Sequence, residues 1–355
     1  MKKEIDGTHE SSQKNGRSNA RGIFLALACS LACLRTPPDA AAAFRNSAWG
    51  ARPEGMGGAF VAVADDANAT LHNPAGSALV PGNELSFAYA KPFVGLGSEV
   101  DIGTFFASYT RSLKRHSGYG FAWTNLSSDR LKENTFLLNA SVNAGRILGG
   151  NGLDLIFGAN VKRMSTSFDL DARSAGDPVF RSGDGKSVFS FDFGAWSVPL
   201  PRRLPRLSFG LALKNVTQPD AGLRTEDSVP LETVGGLAYG LWDGLVTFEA
   251  SKRRGVTTYR GGGEYWLFDG RTGGRFGASS ANGSLGFSYR QPFNANFILM
   301  DYAFIMPFFV QESAGTHRIS FSFKFGNAPR KTASLLRKYQ TESKWQSLSD
   351  QATLP

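Results

Sequence analysis

The sequence predicts an all-β protein: a transmembrane antiparallel β-barrel of about 14 strands, residues 83–326, with an N-terminal hatch, residues 44–82, inside its lumen. Three observations predict it. Apolar side chains recur at every second position over most of the chain, the period of a strand with one apolar face. The segments that do so run for about ten residues, the length of a tilted strand crossing a bilayer. Glycine (41) and phenylalanine (28) are abundant, whereas no apolar run reaches the ~20 residues of a membrane helix.

The alternation is clearest in four places. Leu153, Leu155, Phe157, Ala159 and Val161 alternate with Asp154, Ile156, Gly158, Asn160 and Lys162. Phe189, Phe191, Phe193 and Ala195 alternate with Ser190, Asp192 and Gly194. Leu207, Phe209, Leu211 and Leu213 alternate with Ser208, Gly210, Ala212 and Lys214. Ile319, Phe321, Phe323 and Phe325 alternate with Arg318, Ser320, Ser322 and Lys324.

In all, candidate strands fall at 84–93, 101–110, 117–126, 133–147, 152–168, 187–198, 205–215, 229–240, 244–253, 256–268, 272–281, 283–291, 295–306 and 316–326. Glycine and serine blur the eleventh and twelfth. An even count suits a single-chain bacterial barrel. Links after even-numbered strands are short (Gly149–Gly152, Trp242–Gly244, Asp269–Arg271), whereas 169–186 and 216–228 are long and polar. That is the asymmetry of periplasmic turns and outer loops. A soluble β-sandwich alternates in the same way, but it leaves the N-terminal segments without a role.

Residues 1–43 read as an export signal. Lys2, Lys3, Arg17 and Arg21 precede the apolar run Gly22–Leu34, and the alanines at 40–43 offer small-residue cleavage sites before Phe44. A lipoprotein signal at Cys33 fits less well, because Ser30 stands where leucine is expected. Both cysteines, Cys29 and Cys33, lie inside this segment, so the mature chain has no thiol for a disulfide or a metal. The net charge of +9 is uneven, with +2 over residues 1–43, +3 over 326–355 and +4 spread through the strands between; no basic stripe is interleaved with aromatics, so nucleic acid is not an expected partner. No nucleophile, zinc or phosphate-loop motif stands out, and neither an enzyme nor a cofactor or metal site is expected. Asp65-Asp66 reads as a turn or cap pair, His72 as a packed side chain, and Gly261–Gly263 as a bulge or tight bend. Residues 327–355 form a basic tail, helical or disordered.

The hatch is carried by Trp49–Leu79, which reads WGARPEGMGGAFVAVADDANATLHNPAGSAL. Its glycines and its Asn-Pro turn indicate short helical pieces joined by turns, too small to fold alone. GARPEGMGGAFVAVADDANAT followed by NPAG resembles the N-terminal segment of the PorV/PorQ and UPF0164 proteins, relatives of the FadL outer-membrane transporters. The resemblance implies a hatch folded within a 14-stranded barrel in the bacterial outer membrane, and passage of hydrophobic small molecules. The PorV-like alternative it carries is a component of type IX protein secretion that binds cargo or a periplasmic partner. On this reading Met56 and Phe60 line the ligand path, and Asn73, Pro74 and Ala75 anchor the hatch. Lumen charges such as Glu249, Asp192, Lys162 and Arg318 are candidates for pairing. Phe93, Trp123, Trp196, Trp242, Trp266 and Tyr302 are candidates for aromatic girdles in contact with lipid.

Overall fold

The computed structural model describes residues 44, 49–95, 102–113, 117–147, 154–172, 174, 176–293, 296–310 and 313–326. The export signal with both cysteines, the Gly149–Gly152 turn and the tail lie outside the described residues. Fourteen strands follow one another: β1 (Asn83–Lys91), β2 (Gly103–Leu113), β3 (Ser117–Ser127), β4 (Leu131–Asn143), β5 (Leu155–Phe168), β6 (Gly185–Ser197), β7 (Leu207–Lys214), β8 (Glu232–Leu241), β9 (Gly244–Arg253), β10 (Val256–Leu267), β11 (Thr272–Ser279), β12 (Asn282–Phe293), β13 (Asn296–Pro307) and β14 (Thr316–Phe325). Each pairs antiparallel with its neighbours in sequence, and β1 closes on β14 from Asn83↔Phe325 to Lys91↔His317. Among the described residues no edge strand is left to solvent.

The barrel is apolar outside and polar inside. On β6, Phe189, Phe191 and Phe193 are exposed while Ser190 and Asp192 are buried. On β14, Ile319 and Phe321 face out while Arg318, Ser320, Ser322 and Lys324 face in. The same parity places Leu138, Leu285 and Phe287 on the outer surface. Leaving side chains of this size in water forfeits about 1.5–3 kcal/mol each, and a continuous belt of them is far beyond what a soluble monomer exposes. Acyl chains are the environment this surface fits.

Parity corrects two of the girdle expectations. Phe93, Trp242 and Tyr302 are exposed, and Trp123 stacks on Phe136 on the outer wall with ring centroids 6.0 Å apart. Trp196 and Trp266, however, are buried at 2% and 9% exposure and point into the lumen. Trp196 directly follows the outward Ala195, so the period of two already assigns it inward. The Gly261–Gly263 bulge is also absent. β10 pairs residue for residue with β9 and β11 straight through these glycines, and Gly262 instead makes room for the hatch backbone at Met56.

One seam departs from regular pairing. β6 and β7 share only the pairs from Phe193↔Leu213 to Ser197↔Phe209, because the chain turns into the left-handed region at Asn215 (φ 58°). The 215–231 loop then bridges the upper half of β6. The Val216 amide donates to the Phe191 carbonyl at 3.0 Å, and Lys186 pairs with Asp220 at 2.7 Å. That ammonium, with the Asp227 and Gly222 amides, holds the Asp220 carboxyl down to about 2.

The outward face predicts a lipid-dependent cost. Phe191→Arg, at the middle of β6, should lower unfolding stability in phosphocholine vesicles by about 2–4 kcal/mol. Phe191→Leu should cost less than about 1.5 kcal/mol. Urea titration in vesicles reads both.

Candidate functional site

The hatch satisfies part of its backbone locally, through turn bonds such as Glu54 N to Gly50 O, Val63 N to Phe60 O and Asn73 N to Ala69 O. It holds two short helices, α1 (Ala51–Gly55) and α2 (Ala69–His72), and a 3-10 turn over Pro74–Ala78. The remaining amides and carbonyls need partners elsewhere, since buried backbone polar groups are almost always paired. Side chains of the barrel wall supply them. Glu249 accepts from the Phe60 and Val61 amides, both at 3.0 Å. The Trp196 indole and the Ser208 hydroxyl donate to the Ala62 carbonyl at 2.8 and 2.9 Å. Asn139 donates to the Pro74 carbonyl and Asn160 to that of Thr70, each at 2.9 Å. Arg318 donates to the Trp49 carbonyl at 2.6 Å.

The wall is bare where the hatch backbone lies against it. A Cβ added at Gly158 would lie 2.2 Å from the Pro74 oxygen, and one at Gly210 would lie 2.1 Å from the Val61 oxygen. At Gly194 it would meet the Asn73 side-chain oxygen at 2.2 Å, and at Gly277 the Gly57 nitrogen at 2.1 Å. These inward glycines form a shelf that any side chain would fill.

Asn73 joins the two halves of the anchor. Pro74 holds it extended (φ −148°, ψ 109°). Its Oδ1 accepts from the Ala75 amide at 3.1 Å, and its Nδ2 donates to Val61 O at 2.8 Å and across to Ala195 O on β6 at 3.0 Å. An aspartate would lack both donors.

Charges fasten the other side. Arg52, in α1, reaches Asp65 at 2.6 Å, Asp66 at 2.8 Å and Glu264 of β10 at 2.8 Å. Arg275 binds the same Glu264 carboxylate at 2.7 Å and Asp301 at 3.1 Å, and the Trp266 indole donates to it at 2.8 Å. Arg290 lies over the Trp266 ring, 4.4 Å from its centroid. Lys162 pairs with Asp192 at 2.7 Å, Arg260 with Glu249 at 2.9 Å and Lys324 with Glu84 at 3.0 Å. The Asp65-Asp66 turn thus completes an ion cluster.

On the loop side of the hatch lies a small cavity of about 30 Å³. Phe44, Trp49, Leu71, Leu126 and Met164 give it an apolar side; Glu133, Lys162, Asp192 and Lys214 give it a charged one. Lys214 is 8% exposed and has no hydrogen-bond or ion-pair partner among the described residues. Its lining suits a small apolar molecule with one polar end, but as it stands it has room for about one or two waters.

Of the residues singled out from the sequence, Asn73, Pro74 and Ala75 form the anchored turn. Met56 and Phe60 are fully buried in a packed cluster with Val61, Val63, Ala212, Val234 and Leu245, between the hatch and β7 to β9. They are not among the cavity's lining residues. The sequence reading passed over Arg52, Glu264, Arg275, Trp49 and Lys214. Arg52 carried a signal, as a lone cation in an apolar plug with Asp65-Asp66 nearby.

No family model matches the chain, and neither does any curated protein. Solved structures do match. The toluene transporter TodX of P. putida superposes with a TM-score of 0.55 at 12% identity, over 79% of this chain and 99% of that one. The toluene transporter TbuX of Ralstonia pickettii gives 0.53 at 11%, over 80% and 100%. A Pseudomonas aeruginosa FadL homologue gives 0.50 at 14%, over 78% and 98%. The fold is therefore the fourteen-stranded barrel of FadL-type channels.

Two substitutions test how the hatch is held. Arg52→Met leaves Asp65, Asp66 and Glu264 short of a buried cation and should cost about 3–5 kcal/mol, seen as faster amide exchange in residues 51–66. Gly210→Ala should loosen the hatch by about 1–3 kcal/mol through overpacking. Gly274→Ala, where a Cβ meets nothing within 4 Å, should leave exchange unchanged.

Proposed function

We propose that this chain is an outer-membrane channel for small hydrophobic molecules, gated by its hatch. The observation that carries the reading is the amphipathic cavity beside a hatch that fills the lumen of a closed, lipid-facing barrel. The long connections place the cavity on the outer side, and the short turns on the periplasmic side. The cavity widens from its resting volume of about 30 Å³ to admit a ligand, whose apolar body then lodges against Trp49, Leu71, Leu126 and Met164, with any acceptor end toward Lys214. Passage then requires the hatch to shift. Asn73, Pro74 and Ala75 act as its anchor, and Met56 and Phe60 come to line the path once their cluster opens.

The neighbours named as toluene transporters support this ligand class, and the Trp49–Leu79 motif supports placement with the PorV/PorQ and UPF0164 proteins. The partner is then outer-membrane lipid together with an apolar solute. The PorV-like reading, binding of secreted cargo or a periplasmic protein, draws on the long 169–184 loop, whose Asp169, Asp171, Asp177 and Asp184 make it a polar surface.

Native mass spectrometry of the detergent-extracted protein tests the proposal. A retained apolar small molecule is expected, and Met164→Ser should lower its occupancy on the order of tenfold, the loss of about 1.5 kcal/mol of apolar contact. A stoichiometric protein partner with no small-molecule mass would overturn it in favour of cargo handling.

A further inference from the structure

The main-chain nitrogen of Phe44 sits on a carboxylate. Glu133 Oε1 and Oε2 lie 3.2 and 3.1 Å from it. Arg253 and Asp227 also act on this carboxylate through space, with opposite signs. The Phe44 ring is 8% exposed, clustered with Met164 of β5 and with Ala221 and Val229 of the 215–231 loop. The nitrogen is thus packed in an apolar cluster, and its acceptor is half-buried.

In an uncleaved chain this nitrogen is an amide with one hydrogen, which two anionic oxygens must share. An α-ammonium carries three hydrogens and a charge, and matches a carboxylate far better. The backbone points the same way. Phe44 has φ 58°, in the left-handed region that strains a bulky residue. That torsion exists only while residue 43 is attached. Residues 40–43 are all alanine, the small-residue pattern at which export signals are cut.

We propose that the 43–44 peptide bond is hydrolysed during export, and that the new α-ammonium of Phe44 forms a half-buried ion pair with Glu133. Water supplies the hydroxyl that leaves on the Ala43 carboxylate and the hydrogen gained by the Phe44 amine. Cleavage removes the strained torsion and gives Glu133 a cation within hydrogen-bonding reach. Phe44 and Glu133 both line the cavity, so processing completes its wall. The ion pair stands whatever molecule passes, and so goes beyond the proposed function.

The test uses the protein extracted from the outer membrane. Its intact mass and amino-terminal sequence should show a chain beginning at Phe44. Reductive methylation of the folded protein near neutral pH should then be slow at the Phe44 amine and at least about tenfold faster in Glu133→Gln, because a pair that raises an amine pKa by one unit cuts the reactive free base tenfold. If Glu133→Gln does not fold, comparing folded with denatured wild type reads the same protection. A chain that begins elsewhere, or a Phe44 amine that reacts equally fast with and without Glu133, overturns the proposal. A ligand-free protein with a protected Phe44 amine would count against the channel and leave this pair intact.

Discussion

Everything in this structure depends on a hatch backbone that satisfies itself only in part. The hatch has two short helices and one 3-10 turn, so most of its amides and carbonyls lack the regular ladders that hide polar groups. The wall meets that need with Glu249, Ser208, Trp196, Asn139, Asn160 and Arg318. Where the two backbones touch, the wall is glycine. Donors, acceptors and bare shelves alternate around the lumen, and the apolar residues are left to face lipid. The abundance of glycine and the inverted burial pattern have this one cause.

Charge inside the lumen sets geometry more than it adds stability. A buried ion pair roughly recovers its desolvation cost, whereas a buried charge that loses its partner is strongly unfavourable. Arg52 is shared by three carboxylates, and Glu264 by two arginines and an indole. Such a cluster penalises partial displacement of the hatch and favours either full seating or a larger movement that lets water in. The chain Asn139–Asn160–Asp192–Lys162–Asn215 runs from the Pro74 carbonyl across three strands to the 215–231 loop. The hatch anchor and the loop over the cavity therefore share hydrogen-bond partners.

The strands were legible because the period of two is enforced by lipid on one side and by polar hatch groups on the other. Phe189 to Ala195 and Ile319 to Phe325 leave little choice. The eleventh and twelfth strands were blurred because Gly273, Gly277 and Gly286 carry no side chain to show the period; two of them, Gly277 and Gly286, lie against the hatch backbone at Gly57 and Gly55. Trp196 and Trp266 misled by residue type, since tryptophan at a strand end suggests an interface, while their parity and their indole donors place them inside. Asn73 was legible through its turn with Pro74. Lys214 and Glu133 were not, because only closure of the barrel brings β4, β5 and β7 to one cavity.

A hatch held by both hydrogen bonds and shelves must move as a unit if the lumen is to conduct. Ser77 and Ser141 hold each other by their hydroxyls at 2.6 Å, linking the 3-10 turn to β4. Cysteines at these two positions, introduced as Ser77→Cys and Ser141→Cys, can tie the hatch to the wall. Uptake of a toluene-sized solute by proteoliposomes should then stop on oxidation and return on reduction. Equal uptake by the oxidised and reduced forms would contradict hatch displacement as the route.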